Sequence, residues 1–267
     1  MKQRIATALW GLPLLFFFVW FPWLPVIVIL IAAVAILAGI EFYRLATLSK
    51  GSPLTIWGLS WILGFVVYAQ FGTSLTWLLL LGSIGLPLVW LLFTGPRNDV
   101  LIRWSWTSMG IIYIGWALSC YVSLRGLDNG VQWVFLAILS TFACDTMAFL
   151  CGRAWGRHHM APSLSPGKTW EGAVAGLVAA IVAVVVLCGV FSAINRELPL
   201  EYWEMLGLGV LIGILAQAGD LWESYLKRGA GVKDSGNLLP GHGGILDRLD
   251  SLIFSGVVVY YCAVWVV

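Results

Sequence analysis

The densest collection of reactive side chains lies between Gln217 and Ser251. In QAGDLWESYLKRGAGVKDSGNLLPGHGGILDRLDS stand Asp220, Glu223, Lys227, Arg228, Lys233, Asp234, His242, Asp247, Arg248 and Asp250. The flanking sequence is apolar, and charges kept in such surroundings usually serve chemistry. Asp220, Ser224 and Lys227 share one helix face by i, i+4, i+7 spacing. Asp247, Asp250 and Ser251 share a face at the start of another helix, where the dipole favours carboxylates. Two carboxylates from two helix ends can hold Mg²⁺ and leave positions for phosphate oxygens. The same acids can instead form intramembrane salt bridges, for instance Asp247 with Lys227. Asp145 and Glu171 also lie in or beside apolar segments and need a cation, a metal or a partner side chain.

Bases and glycines surround these acids. Lys227, Arg228, Lys233 and Arg248 supply positive charge, while Gly243, Gly244 and their neighbours let backbone N–H groups approach a ligand. Cations, exposed amides and a carboxylate-held metal are what phosphoryl or nucleotidyl transfer requires, because the work is positioning and charge neutralisation. His242 can touch a phosphate, transfer a proton or simply hydrogen-bond within its loop. Arg157, His158 and His159 read as a solvated charge run.

A second polar stretch is Ser165-Pro166-Gly167-Lys168-Thr169-Trp170-Glu171-Gly172. Its Gly-Lys-Thr invites a P-loop reading. However, Pro162 stands where the first glycine of that motif belongs, and no strand is expected before it. What remains is an anion site at a helix N-terminus, with Ser165, Lys168, Thr169 and Glu171 as candidate substrate contacts. The alternative is a capped helix with a snorkelling lysine.

The elements that must position these groups are membrane helices. The chain has 267 residues, 60% of them hydrophobic and 10% charged, against roughly 25% charged in soluble domains. The apolar residues come in blocks of about 20, enough to cross about 30 Å of hydrocarbon. The expected fold is all-α, a polytopic membrane helix bundle. Its nine spans are near 4–21, 25–43, 54–71, 74–94, 105–124, 131–151, 170–193, 203–226 and 247–267. Residues 1–125 read as a helical scaffold and 126–267 as the catalytic part. The first apolar run continues past any cleavage point, so it reads as a retained helix rather than a signal peptide.

With the N-terminus in the cytoplasm, thirteen of the fifteen Lys and Arg fall on the inside and only Arg125 and Arg196 outside. Both polar loops then face the cytoplasm, where nucleotides are. The five cysteines read as small buried hydrophobes. The many tryptophans near helix ends read as interfacial anchors. Gly172-x-x-x-Gly176 and Gly209-x-x-x-Gly213 allow close helix contact, within one chain or between subunits. No basic run with interleaved aromatics points to nucleic acid.

Three stretches carry a family resemblance. Ser224-Tyr225-Leu226-Lys227-Arg228, Lys233-Asp234-Ser235-Gly236 and Leu239 through Asp250 resemble the signature of phosphatidate cytidylyltransferases, the CDP-diacylglycerol synthases. Ser165 through Gly172 matches a second motif of that family. Asp145-Thr146 through Arg157 resembles a third, with Met147 where a glycine is expected. The resemblance covers the C-terminal half. It implies that CTP and phosphatidate give CDP-diacylglycerol and pyrophosphate with Mg²⁺, in a homodimer of the bacterial inner membrane. It also implies a metal centre on Asp220 and Asp247, with Asp145 a further candidate ligand, and assistance from a monovalent cation such as K⁺. Asp234 and Asp250 are expected to orient the basic residues. Two other classes fit parts of the pattern: a CTP-dependent polyprenol or dolichol kinase, and an ion-coupled transporter using intramembrane Asp145 and Asp220.

Overall fold

The computed structural model of the chain describes residues 16–94, 99–238 and 243–266. Most of the first expected helix, the Arg97 loop and His242 lie outside them. Two compact units emerge. One comprises Met1–Ser123 with Leu226–Arg248, the other Leu124–Tyr225 with Leu249–Val267.

The first unit opens on helix α1, Leu24–Leu48, with Pro25 in its first turn, where a missing N–H costs nothing. The turn after it places Lys50 and Ser52 at positive φ. Helix α2, Thr55–Tyr68, continues as a 3-10 turn over Ala69–Phe71. With 17 residues, that segment is shorter than the other apolar helices. Helix α3 spans Thr76–Thr94 around Pro87. Helix α4, Val100–Gly110, runs through a π-helical turn at Ile111–Trp116 into α5, Ala117–Arg125. Tyr43 is buried and ties α1 to α4 by donating its hydroxyl to the Thr107 carbonyl at 3.0 Å. Gly58 and Gly110 lie so close to that ring that a Cβ at either would overlap it.

The second unit holds α6, Gly130–Trp155, α7, Trp170–Ala193, and most of α8, Tyr202–Gly229, and α9, Leu246–Val266. Small residues set its packing. Gly172 and Gly176 lie on Ala148 and Cys144 of α6, and Gly209 and Gly213 lie on Ile181 and Leu177 of α7. Both glycine pairs are therefore used within the unit, where backbones approach closely in the absence of a hydrophobic drive between helices. Between α6 and α7 runs an antiparallel hairpin, β1 at His159–Ala161 and β2 at Ser165–Thr169. This corrects the expectation of no strand there. The Ser-Pro-Gly-Lys-Thr stretch is itself a strand, but one in a two-stranded hairpin rather than the parallel strand of a P-loop, and Pro162 still occupies the glycine position.

Among the described residues seven helices are long and apolar enough to cross a membrane. Large apolar side chains stay exposed along them, among them Trp77, Phe93 and Val186, as a hydrocarbon solvent allows. The chain is an all-α, polytopic integral membrane protein. Its five cysteines are free, and Cys120, Cys144 and Cys188 are buried.

Candidate active site

In the second unit, the hairpin delivers Lys168 and the cap of α7 together. Thr169 is the N-cap, its hydroxyl accepting from the Gly172 N–H at 3.2 Å. Glu171 in the first turn binds His158 through Nδ1 at 2.6 Å and the backbone N–H at 3.3 Å. His158 thus makes a specific pair within a run whose Arg157, His158 and His159 are all exposed, as expected of a solvated stretch. Ser165 starts β2, opposite Ala161.

From that frame Lys168 extends to Asp220 on α8, Nζ to Oδ2 at 2.8 Å. The lysine side chain is 21% exposed and the aspartate 38%. The ammonium nitrogen is shut off from water and makes no hydrogen bond among the described residues besides this ion-pair contact. It therefore has donor capacity left for an acceptor such as a phosphate oxygen.

On neighbouring helices, Asp145 of α6 accepts from the Ser251 hydroxyl at 3.3 Å. Asp250 accepts the Ser251 N–H at 2.7 Å. Gly219 packs against the Asp250 carbonyl and the Phe254 ring so tightly that a Cβ would overlap both. Glu223 is fully buried and Ser224 nearly so.

In the first unit the organising group is Asp247, at the start of α9. Lys227 donates to its Oδ1 at 2.7 Å. The backbone N–H groups of Ser235 and Gly244 donate to its Oδ2 at 3.0 and 2.8 Å. The two side chains are 5% and 13% exposed, aspartate first. The salt bridge offered as an alternative for these two residues is present. Gly243 adopts φ +83°, which a residue with a side chain rarely does. Arg228 donates to the Val232 carbonyl at 3.3 Å. Lys233, Asp234 and Arg248 are exposed.

A residue that the sequence reading does not name joins this loop. Glu41 of α1, 3% exposed, accepts from the Ser235 hydroxyl at 3.0 Å and from the N–H groups of Ile245 and Leu246 at 3.1 and 2.9 Å. Those amides open α9 and have no partner inside the helix. The signal for it is a lone carboxylate well inside an apolar helix, which demands a buried partner.

Among the described residues no three His, Cys, Asp or Glu side chains cluster as a metal site would. Asp220, partly exposed and paired among the described residues with Lys168, fits a hard cation that keeps most of its own waters. Asp247 as arranged does not, since both its oxygens are filled by Lys227 and backbone donors.

Lysines and carboxylates on membrane helices, a capped helix start and a glycine-bent loop define a membrane enzyme of phosphate chemistry. A family model described as "Cytidylyltransferase family" matches residues 2–266, and the chain belongs to that family. It is 34% identical over 269 residues to a phosphatidate cytidylyltransferase of Bacillus subtilis, covering 98% of this chain and 97% of the relative. A protein of the same name from Brucella abortus is 35% identical over 191 residues, 68% of this chain and 67% of its own. One from Staphylococcus haemolyticus is 39% identical over 146 residues, 55% and 54%.

Proposed function

We propose that this chain transfers CMP from CTP to phosphatidate, giving CDP-diacylglycerol and pyrophosphate. The observation that carries the reading is the match along nearly the whole chain to a relative named for that reaction. The CTP-dependent lipid kinase and the ion-coupled transporter are not favoured by these relatives.

The lipid phosphate supplies the nucleophile. Its oxygen attacks the α-phosphorus of CTP, a new phosphoanhydride bond forms, and the bond to pyrophosphate breaks. No protein nucleophile is required, because a phosphate monoester is already anionic near neutral pH. Lys168, with unused donor capacity, takes phosphate oxygens in the second unit. Lys227, Arg228, Lys233 and Arg248 supply positive charge from the first unit and the start of α9. Asp247 and the amides it collects keep Lys227 and the Gly243–Gly244 turn in place. Asp220 orients Lys168 and is the residue that would hold magnesium, which when bound neutralises triphosphate charge. Asp145 stands as a further candidate ligand, K⁺ as a candidate second cation, and His242 as a candidate phosphate contact.

The charge asymmetry supports a cytoplasmic N-terminus and a site facing the cytoplasm, and the resemblance supports a bacterial inner membrane. The resemblance supports a homodimer. Gly172, Gly176, Gly209 and Gly213 pack within one chain, which favours other faces for its interface. Purified protein should release pyrophosphate only when CTP and phosphatidate are both present. Release with CTP alone would count against the lipid as acceptor.

A further inference from the structure

The first unit holds a cavity of which the reaction described above uses only Lys233, as a source of positive charge. It measures about 200 Å³ and is lined by Arg44, Leu45 and Leu48 of α1 and by residues 232–237 of the loop, including Lys233 and Asp234. At roughly 30 Å³ per water molecule, it has room for a phosphate group with solvent. Arg44 and Lys233 are both exposed, and neither side chain makes an ion pair or hydrogen bond among the described residues. One carboxylate, Asp234, faces the same space, so the lining is net positive.

Glu41 sits three residues before Arg44 on α1. It grips the loop at both ends, through Ser235 at one and through Ile245 and Leu246 at the other. Gly236 and Gly244 pass so close to its carboxylate that a Cβ on either would overlap it. The helix that carries Arg44 is thereby fixed to the loop that carries Lys233.

We propose that Arg44 and Lys233 bind a phosphate group of one of the two substrates in this cavity, and that Glu41 is the positioning residue that gives the loop the required shape. The proposal rests on the cytidylyl-transfer reading for the identity of the phosphate, but not for the site itself. The acceptor of the guanidinium and ammonium bonds is the same whether the phosphate belongs to the nucleotide or to the lipid headgroup.

Kinetics of Arg44→Gln, Arg44→Lys, Glu41→Gln and Glu41→Asp decide the matter, with CTP and phosphatidate varied separately in mixed micelles. Losing a charge-assisted bond should raise KM for one substrate about 10-fold or more in Arg44→Gln, with Arg44→Lys recovering part of it. If the affected substrate is CTP, the inhibition constant of pyrophosphate rises in step. If it is phosphatidate, pyrophosphate inhibition stays as in wild type. Glu41→Gln should lower kcat/KM, with Glu41→Asp recovering part, and adding Arg44→Gln to it should have little further effect. A role confined to folding would make the two effects multiply. Unchanged KM for both substrates in Arg44→Gln, or multiplying effects in the double variant, would overturn the proposal. Calorimetric titration with pyrophosphate and with phosphatidate micelles separates the two claims. Absent turnover in wild type defeats the reaction. Binding of both probes left unchanged by Arg44→Gln defeats the site.

Discussion

Replacing Asp247 by Asn should destabilise the protein as well as inactivate it. The carboxylate serves Lys227 on one oxygen and two backbone N–H groups on the other. An amide retains one acceptor oxygen and turns an NH₂ toward donors. At least one charge-assisted bond is lost, worth about 1.5–3 kcal/mol. Lys227, only 13% exposed, then loses this carboxylate, and breaking a buried pair from one side costs about 3–5 kcal/mol. A loss near 3 kcal/mol corresponds to a fall of about 6–12 °C in melting temperature for a chain of this size. Tryptophan fluorescence in detergent micelles would follow it. Combining Asp247→Asn with Lys227→Met should restore about 2 kcal/mol, the coupling expected of contacting charges, without restoring turnover. If Asp247 acts only as a metal ligand, the Asn variant loses turnover but melts within about 2 °C of wild type. That result would refute the clamp.

Asp220→Asn and Lys168→Met should behave differently. Asp220 is 38% exposed against 5% for Asp247, so solvent screens this pair more, and both variants should lose turnover with a smaller fall in melting temperature than Asp247→Asn. On α7, Gly172→Leu should reduce folded yield, because a side chain there meets the Ala148 carbonyl and the Gly152 backbone. Overpacking of this kind costs about 1–3 kcal/mol or more. Gly189→Leu on the same helix has open space and should fold as wild type in size-exclusion profiles. Thr169→Ala removes the α7 cap at a cost of about 1 kcal/mol. It should also raise KM, since Lys168 is the residue immediately before the cap.

Hydropathy alone makes most of the helices legible. The expected span at 170–193 coincides with α7, and those near 131–151 and 203–226 fall within helices a few residues longer. The π-turn at Ile111–Trp116 is invisible to periodicity, because it answers to Tyr43 and Ile62 packed against Gly110 and Gly115. The hairpin escapes for a similar reason. Three and five residues are too few for alternation to show, and a register shift interrupts the pairing between His159 and Ala161. At the site, Lys227 with Asp247 is readable as two opposite charges in apolar surroundings. Lys168 with Asp220 is not, since 52 positions separate them and only the fold pairs them. Glu41 is hidden by the assignment of residues 1–125 to scaffold, although its three acceptor bonds join that scaffold to the signature loop.

The central claim is the transfer of CMP, and the fate of the CTP phosphates tests it. Purified protein in phosphatidate micelles would be given CTP labelled on the α-phosphate in one reaction and on the γ-phosphate in another. The account predicts that the α-label enters the lipid fraction and the γ-label leaves as pyrophosphate. Lipid carrying the γ-label, with none from the α-position, would contradict it.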